Sequence, residues 1–245
     1  MKVLLVHAHP EPLSFNAALK DAAIAALQGQ GHAVRVNDLH AMHFNPVLDA
    51  RDFPVRDFPE RLVIPREQSA AFANGTTAPD IAAEHAKLAW ADAVLFQFPL
   101  WMYGLPAIMK GWFDRVFSEG FVNDPPRGKF FDRGGMAGKR AMLSLTTGGK
   151  PGGFAPNGRH GPIDVILWPI HNALRFQGFD VVAPFAAYDV VRSDDAARQA
   201  QIAVYRDRLA GLFAETPLPF HNLDEYDLSG GLKPGVAPRN GIQRN

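Results

Sequence analysis

The amino-acid sequence predicts an α/β fold with a doubly wound, five-stranded parallel sheet and helices on both faces. Short apolar runs alternate along the chain with longer amphipathic segments, which is typical of β-α-β units. The apolar runs at residues 2–6 and 94–98 are typical of buried strands. We place these strands at residues 2–6, 33–37, 94–98, 140–146 and 179–185.

The segments between the strands are typical of helices. Ser14 is a suitable N-cap for the first helix, and Gly29 and Gly31 are suited to end it. Pro169 is expected to bend the fourth helix. The other helices are placed at residues 79–91, 106–117, 160–177 and 194–214. Residues 43–75 are predicted to be an irregular insertion, and residues 120–138 a loop.

Composition limits the classes of partner and the number of domains. The chain has 245 residues, 47% of them hydrophobic, and no formal net charge, which argues against nucleic acid or an anionic membrane as the main partner. No apolar stretch reaches membrane-spanning length, and residues 1–8 do not form a signal peptide, so we expect no membrane insertion and a cytoplasmic location. We expect one domain at residues 1–215 and an irregular C-terminal extension at residues 216–245.

Metal chemistry is disfavoured by the residue types. The absence of cysteine excludes disulfides, thiolate nucleophiles and cysteine-based metal sites. His7 and His9 alternate at a strand end, a spacing that could suit a metal ion, but no carboxylate cluster accompanies them, so we expect no metal site. Trp112 and Phe113 share the apolar face of a predicted helix and are expected in the core.

Three loops follow the carboxyl ends of predicted strands, where parallel sheets bind their ligands: residues 7–14, 98–104 and 146–160. The first leads to a helix N-terminus that could hold a phosphate, although Ser14 could equally serve only as a cap. There is no G-x-G-x-x-G motif, and Gly149-Lys150 is followed by Pro151, so Rossmann and Walker A nucleotide sites are not expected.

The other two loops differ in character. Residues 98–104 are aromatic and apolar and could line a flat ring system such as isoalloxazine, or could pack in the core. In the third loop Gly148 and Gly149 would let backbone donors approach a ligand closely, although the segment could also be an ordinary turn.

Taken together, the segments resemble the NAD(P)H:quinone oxidoreductases of the DT-diaphorase type, a flavodoxin-like, dimeric, FAD-containing family. The resemblance extends from residue 1 to about residue 215. The matching segments are Ser14-Phe15-Asn16, Phe96-Gln97-Phe98-Pro99-Leu100, Gly104, Pro106 to Phe113, Thr146-Thr147-Gly148-Gly149, His160-Gly161 and Val165 to Ile170.

The resemblance implies roles for individual residues. It places Arg198 near the adenosine part of FAD and makes His160 the active-site histidine. The remaining cofactor-binding positions that it implies are His9, Ser14, Phe15, Asn16 and Ala18 along the pyrophosphate and ribityl chain, Pro99, Leu100, Trp101, Met102 and Tyr103 along the isoalloxazine, and Thr146, Thr147, Gly148, Gly149 and Phe154 near the pyrimidine edge.

The chain departs from the family pattern at three places. Residues 101–103 are Trp-Met-Tyr where the family has Gln-Trp-aromatic, and residues 122–126 replace a tyrosine-bearing loop. The family tyrosine that partners the active-site histidine is Phe154 here, so we expect His160 to act alone. Tyr103 is a candidate for orienting the acceptor. The Gly148 backbone N–H is a candidate for stabilising negative charge on the reduced ring.

The activity implied is flavin-dependent, two-electron reduction of a small quinone-like acceptor by NADH or NADPH, with ping-pong hydride transfer through flavin N5. FAD is expected as cofactor, with FMN as the alternative. The resemblance implies a homodimer whose active site lies at the interface. Other possible functions are a regulatory flavoprotein subunit of an ion-efflux system, an azo- or nitro-compound reductase, and a one-electron flavodoxin carrier.

Overall fold

A computed structural model of the chain describes residues 1–242 and contains one parallel sheet covered on both faces. The strands lie in the order β2-β1-β3-β4-β5, and every pair is parallel, which confirms the predicted doubly wound sheet. Their bounds are β1 Lys2–His7, β2 Ala33–Asp38, β3 Ala93–Pro99, β4 Arg140–Thr146, β5 Asp180–Val181 and β6 Phe185–Ala187.

The fifth strand position is divided between β5 and β6, where the sequence predicted one strand. Both segments pair with β4, at Ala141↔Val181 and again at Leu145↔Ala186. Pro184 lies between them and has no backbone N–H to donate, so pairing cannot continue through it. The Ala183 carbonyl accepts a hydrogen bond from Nη2 of Arg208 at 2.6 Å instead.

The described residues contain six α-helices, five of which pack on the sheet. Their bounds are α1 Phe15–Gly29, α2 Ile64–Asn74, α3 Pro79–Trp90, α4 Ala107–Val116, α5 Ile163–Phe176 and α6 Asp195–Ala210. The predicted cap of α1 is confirmed, because Oγ of Ser14 accepts from the Ala17 N–H at 3.1 Å. Pro169 lies inside α5, which begins at Ile163 rather than at residue 160. Helix α6 ends four residues before the predicted boundary.

The prediction that residues 43–75 are irregular throughout is wrong, because α2 occupies the end of this segment. Glu67 of α2 is buried and accepts hydrogen bonds from Nε of Arg56 at 2.6 Å and from the Asp57 N–H at 3.0 Å. Polar contacts of this kind hold the helix in place without a wide apolar face, and such a face was the pattern used to find helices. In contrast, residues 120–138 contain only two short 3-10 turns, at Pro125–Arg127 and Phe131–Arg133, as expected for a loop.

The core is divided by the sheet into two layers. Alternate residues of β1 enter opposite layers: Leu4 and Val6 contribute to one, Val3 and Leu5 to the other. Helices α1 and α6 cover the second layer, and α3, α4 and α5 cover the first. Trp112 is fully buried in the first layer, as predicted, and its indole N–H donates to Glu84 at 2.9 Å.

The C-terminal segment runs back along the edge of the sheet. The Leu218 N–H donates to the Val181 carbonyl at 2.7 Å, and the ring of Phe220 stacks on Trp168 with centroids 5.3 Å apart. Beyond a 3-10 turn at Leu223–Glu225, the described part has no helix or strand. Residues 243–245 of the predicted extension lie outside the described residues. Among residues 1–242, no helix is both long and apolar enough to cross a membrane.

Candidate active site

Three loops meet at the carboxyl edge of the sheet and are joined by buried hydrogen bonds. Asn16 lies at the start of α1 and is almost completely buried. Its Nδ2 donates to Oγ1 of Thr146 at 2.7 Å, and its Oδ1 accepts from Nε2 of Gln97 at 2.8 Å. The Leu100 N–H also donates to the Thr146 carbonyl at 2.8 Å. The three predicted loops therefore form one connected unit.

The side chain of Asn16 holds this unit together from beneath. Both of its polar atoms make one hydrogen bond each within the protein, and the side chain is almost completely buried. Its backbone N–H lies in the first turn of α1, where helix geometry leaves amides without an intrahelical partner. Those amides are the groups that could meet a phosphate.

A cavity of about 380 Å³ lies between the N-terminal turns of α1 and α6. Ser14, Phe15 and Ala18 line it from α1 and its cap, and Arg198 lines it from α6. Nη1 of Arg198 is 3.4 Å from Oδ1 of Asp195, and 40% of the arginine side chain is exposed, so the guanidinium retains donors for a further acceptor. The cavity thus brings Arg198, which the resemblance places near the adenosine part, close to three residues that the resemblance places along the pyrophosphate and ribityl chain.

Residues 101–104 form a tight turn that presents side chains to solvent. The Gly104 N–H donates to the Trp101 carbonyl at 3.0 Å, and Met102 and Tyr103 have φ of 48° and 62°. Two successive positive φ values define a turn that usually contains asparagine or glycine, and each costs about 1–2 kcal/mol for other residues. Trp101, Met102 and Tyr103 are 47%, 93% and 53% exposed, whereas Pro99 is buried beneath them.

The glycine loop after β4 has one open and one closed position. A Cβ at Gly149 would lie 2.6 Å from Cε2 of Phe154, so a larger residue there would have to displace this ring. A Cβ at Gly148 would meet only Val191, at 3.6 Å. The Gly149 N–H already donates to Oγ1 of Thr147 at 3.2 Å, so Gly148 offers the more accessible backbone surface.

His160 has a hydroxyl partner, so the expectation that it acts alone is wrong. Oη of Tyr103 is 2.9 Å from its Nδ1, and Nε of Arg159 is 3.3 Å from its Nε2. Phe154 is buried, and its ring stacks against His160 with centroids 4.7 Å apart. Phe154 thus supports the imidazole from one side, and this contact is not one that the sequence assigned to it.

The two histidines of the first loop differ in burial. His7 is buried, and desolvation lowers its pKa to about 4. His9 is partly exposed, accepts from the Glu11 N–H at 3.0 Å, and packs against the Trp101 ring at a centroid distance of 5.7 Å. Desolvation also lowers its pKa. Within residues 1–242, no group of three or more His, Asp or Glu side chains could hold a metal ion.

Comparison with known proteins agrees with this geometry. A family model described as a flavodoxin-like fold matches residues 1–209. The chain is 41% identical to NAD(P)H dehydrogenase [quinone] 1 of Rattus norvegicus over 231 residues, covering 93% of this chain and 83% of the relative. It is 40% identical to the ribosyldihydronicotinamide dehydrogenase [quinone] of Homo sapiens, covering 89% and 94%. A structure assigned as a quinone reductase from Klebsiella pneumoniae matches with a TM-score of 0.92 and 43% identity over 97% of this chain and 96% of that chain.

The chain belongs to the flavodoxin-like NAD(P)H:quinone oxidoreductase family. This is a flavin-dependent family, and the residues present fit such a cofactor. The turn at residues 101–104, the open face of Gly148 and the α1 N-terminus all border the same edge of the sheet, and the cavity beside Arg198 continues from that helix end.

Several residues that shape this family site were not among the sequence-predicted set. Gln97 is fully buried and bonds Asn16, and a polar residue inside the apolar run of β3 was the signal that could have revealed it. Arg192 donates from Nη2 to the Gly148 carbonyl at 2.6 Å, which fixes the glycine loop from outside. Arg192 and Arg159 are exposed charges in loops, and nothing in their sequence context distinguishes them from other surface arginines.

Proposed function

We propose that this chain is a flavin-dependent NAD(P)H dehydrogenase that reduces quinones by two electrons. The observation that carries the proposal is the single hydrogen-bonded unit formed by Asn16, Gln97 and Thr146, which joins three loops at the edge of the sheet where such folds bind ligands. The curated relatives that are about 40% identical over nine-tenths of the chain bear quinone dehydrogenase names.

The residues assigned to the cofactor divide into three groups by chemistry. The first-turn amides of α1 would meet phosphate, the exposed turn at residues 101–104 would cover the flat ring, and the Gly148 backbone would face the polar edge of that ring. Flavin, when bound, supplies the hydride-transfer chemistry. The chain's own contribution is to hold reductant and acceptor flat against the open side, since orientation alone can contribute several kcal/mol.

We propose FAD rather than FMN as the cofactor. The cavity of about 380 Å³ beside Arg198 has room for a further group beyond the phosphate end, and its arginine can bond or stack on an adenosine.

We also propose a homodimer with the active site at the interface, because Trp101, Met102 and Tyr103 leave an apolar surface exposed next to the site. A cytoplasmic location is proposed because NADH and NADPH are supplied there. Residues 1–215 would form the flavin-binding domain, with residues 216–245 as its extension.

The reductant and the acceptor would use the same open side in turn, which predicts ping-pong kinetics. The experiment is to purify the chain, release its flavin with acid and identify it by chromatography, and then to follow NADH and NADPH oxidation with and without a quinone. Yellow protein, quinone-dependent oxidation and parallel double-reciprocal plots are expected. A colourless protein that binds neither added flavin would refute the proposal.

A matched pair of variants separates FAD from FMN. Arg198→Met removes the cavity's guanidinium and is expected to weaken FAD binding roughly 10-fold, as for a lost charge-assisted bond, with FMN binding unchanged. Arg206→Met, an exposed arginine of the same helix about 12 Å further along, is the control and should change neither affinity. Equal affinities for FAD in both variants would contradict the assignment of Arg198.

A further inference from the structure

The contact between Tyr103 and His160 places a hydroxyl in the site from a loop other than the one expected. Residue 154 is phenylalanine and cannot supply a hydroxyl, yet Oη of Tyr103 lies 2.9 Å from Nδ1 of His160. The two residues come from different loops, residues 98–104 and 146–160. The hydroxyl therefore lies where the turn and the glycine loop meet.

The surroundings of His160 determine which of its nitrogens carries the proton. Nε of Arg159 can only donate, and it lies 3.3 Å from Nε2 of His160. Nε2 is therefore the acceptor, and the proton of the neutral ring is on Nδ1. It follows that Nδ1–H donates to Oη of Tyr103, and the tyrosine's own O–H is left to donate elsewhere.

The backbone of the turn is held in a conformation that its residues do not favour. Met102 and Tyr103 both have positive φ, and neither is glycine or asparagine. Non-glycine residues in this region persist where the surrounding structure imposes the conformation, and they concentrate at functional sites. Here the turn directs the Tyr103 hydroxyl to His160 while half of the ring stays open to solvent.

We propose that Tyr103 is the proton donor to the reduced acceptor, and that His160 and Arg159 are positioning residues for its hydroxyl. The inference rests on the proposed quinone reduction, which supplies hydride to the acceptor. The O–H bond of Tyr103 breaks as a new O–H bond forms on the acceptor's oxygen. The tyrosinate oxygen is stabilised by the Nδ1–H of His160 and then regains a proton from water, so His160 keeps its own proton throughout.

The kinetic test compares two variants that each remove one tyrosine hydroxyl. Tyr103→Phe is expected to lower kcat for quinone reduction roughly 10²-fold, the usual scale for losing general acid catalysis, with KM changed far less. Tyr205→Phe is the control, because that ring is fully buried against Phe185 in the core, and it should retain wild-type kcat. An unchanged kcat in Tyr103→Phe, with wild-type enzyme active, would overturn the inference and leave the proposed function standing.

A spectroscopic test does not depend on turnover. In the flavin-free protein, the ¹⁵N NMR signals of the neutral His160 imidazole should show a proton on Nδ1 and none on Nε2. Arg159→Met should shift the population toward the Nε2–H form, while Arg206→Met should leave it unchanged. A wild-type ring protonated on Nε2 would refute the arrangement. Wild-type enzyme that oxidises no NAD(P)H would instead remove the proposed function, and the inference with it.

Discussion

The buried bond between Asn16 and Thr146 offers the sharpest test of how the site is assembled. Asn16→Ala leaves the Thr146 hydroxyl without its amide donor and the Gln97 amide without its acceptor, and all three side chains are almost completely buried. Each of these two stranded buried groups costs about 1–3 kcal/mol, so the free energy of unfolding should fall by about 2–6 kcal/mol. Thr146→Val strands only the Asn16 amide and should cost about 1–3 kcal/mol.

The double variant measures the bond itself. Unfolding of the flavin-free protein by urea gives the four free energies of the cycle, provided that the slopes agree. Because the two side chains share one hydrogen bond, the double variant should lose less than the sum of the single losses, by about 1–2 kcal/mol. Losses that add to within about 0.5 kcal/mol would show that the loops are not joined in this way. Ser14→Ala, which removes the α1 cap, is a control expected to cost about 1 kcal/mol and to be additive with Thr146→Val.

Three further outcomes are expected. Gly149→Ala places a Cβ against Phe154 and should cost about 1–3 kcal/mol of unfolding free energy and weaken flavin binding, whereas Gly148→Ala, which has space, should cost less than about 1 kcal/mol. Met102 has a left-handed backbone conformation that asparagine tolerates better, so Met102→Asn should raise the free energy of unfolding by about 0.5–1 kcal/mol. An unchanged or lower Tm would show that the backbone at Met102 is not strained. Burial lowers the pKa of His171 to about 4. The unfolded ring, with a pKa near 6.5, takes up a proton first, so stability is lost as pH falls from about 6.5 to 4. Between pH 7 and pH 5, the free energy of unfolding of His171→Leu, measured with urea, should therefore fall by about 2 kcal/mol less than that of the wild type.

The sheet could be predicted from sequence because its signal is local. Strands β1, β3 and β4 are runs of mostly apolar residues, and burial on both faces requires that composition. The edge strand β2 is largely exposed and includes Arg35 and Asn37. The division of the last strand depended on one residue, Pro184, whose effect is visible only once its neighbour β4 is known. Helix α2 was missed because its stability comes from Glu67 and its polar partners, which lie outside the helix.

The candidate site was predictable to the level of which loops converge, but not to the level of which atoms meet. The resemblance placed Asn16 along the ligand but gave no sign of the bridge that its side chain makes between two other loops. The pairing of Tyr103 with His160 joins positions 57 residues apart and depends on the backbone conformation of a turn. A pattern of residue types along the chain contains no information about a left-handed φ at methionine and tyrosine.

The hydrogen bond from the Leu218 amide to the Val181 carbonyl has a consequence for how the molecules behave in solution. An unpaired carbonyl on an outer strand is a template for the backbone of another chain and a route to aggregation. The C-terminal segment occupies that template, and Phe220 anchors it on Trp168. A chain shortened at residue 215 would expose the outer strand, so we expect it to keep its sheet and to self-associate at concentrations where the 245-residue chain stays dispersed.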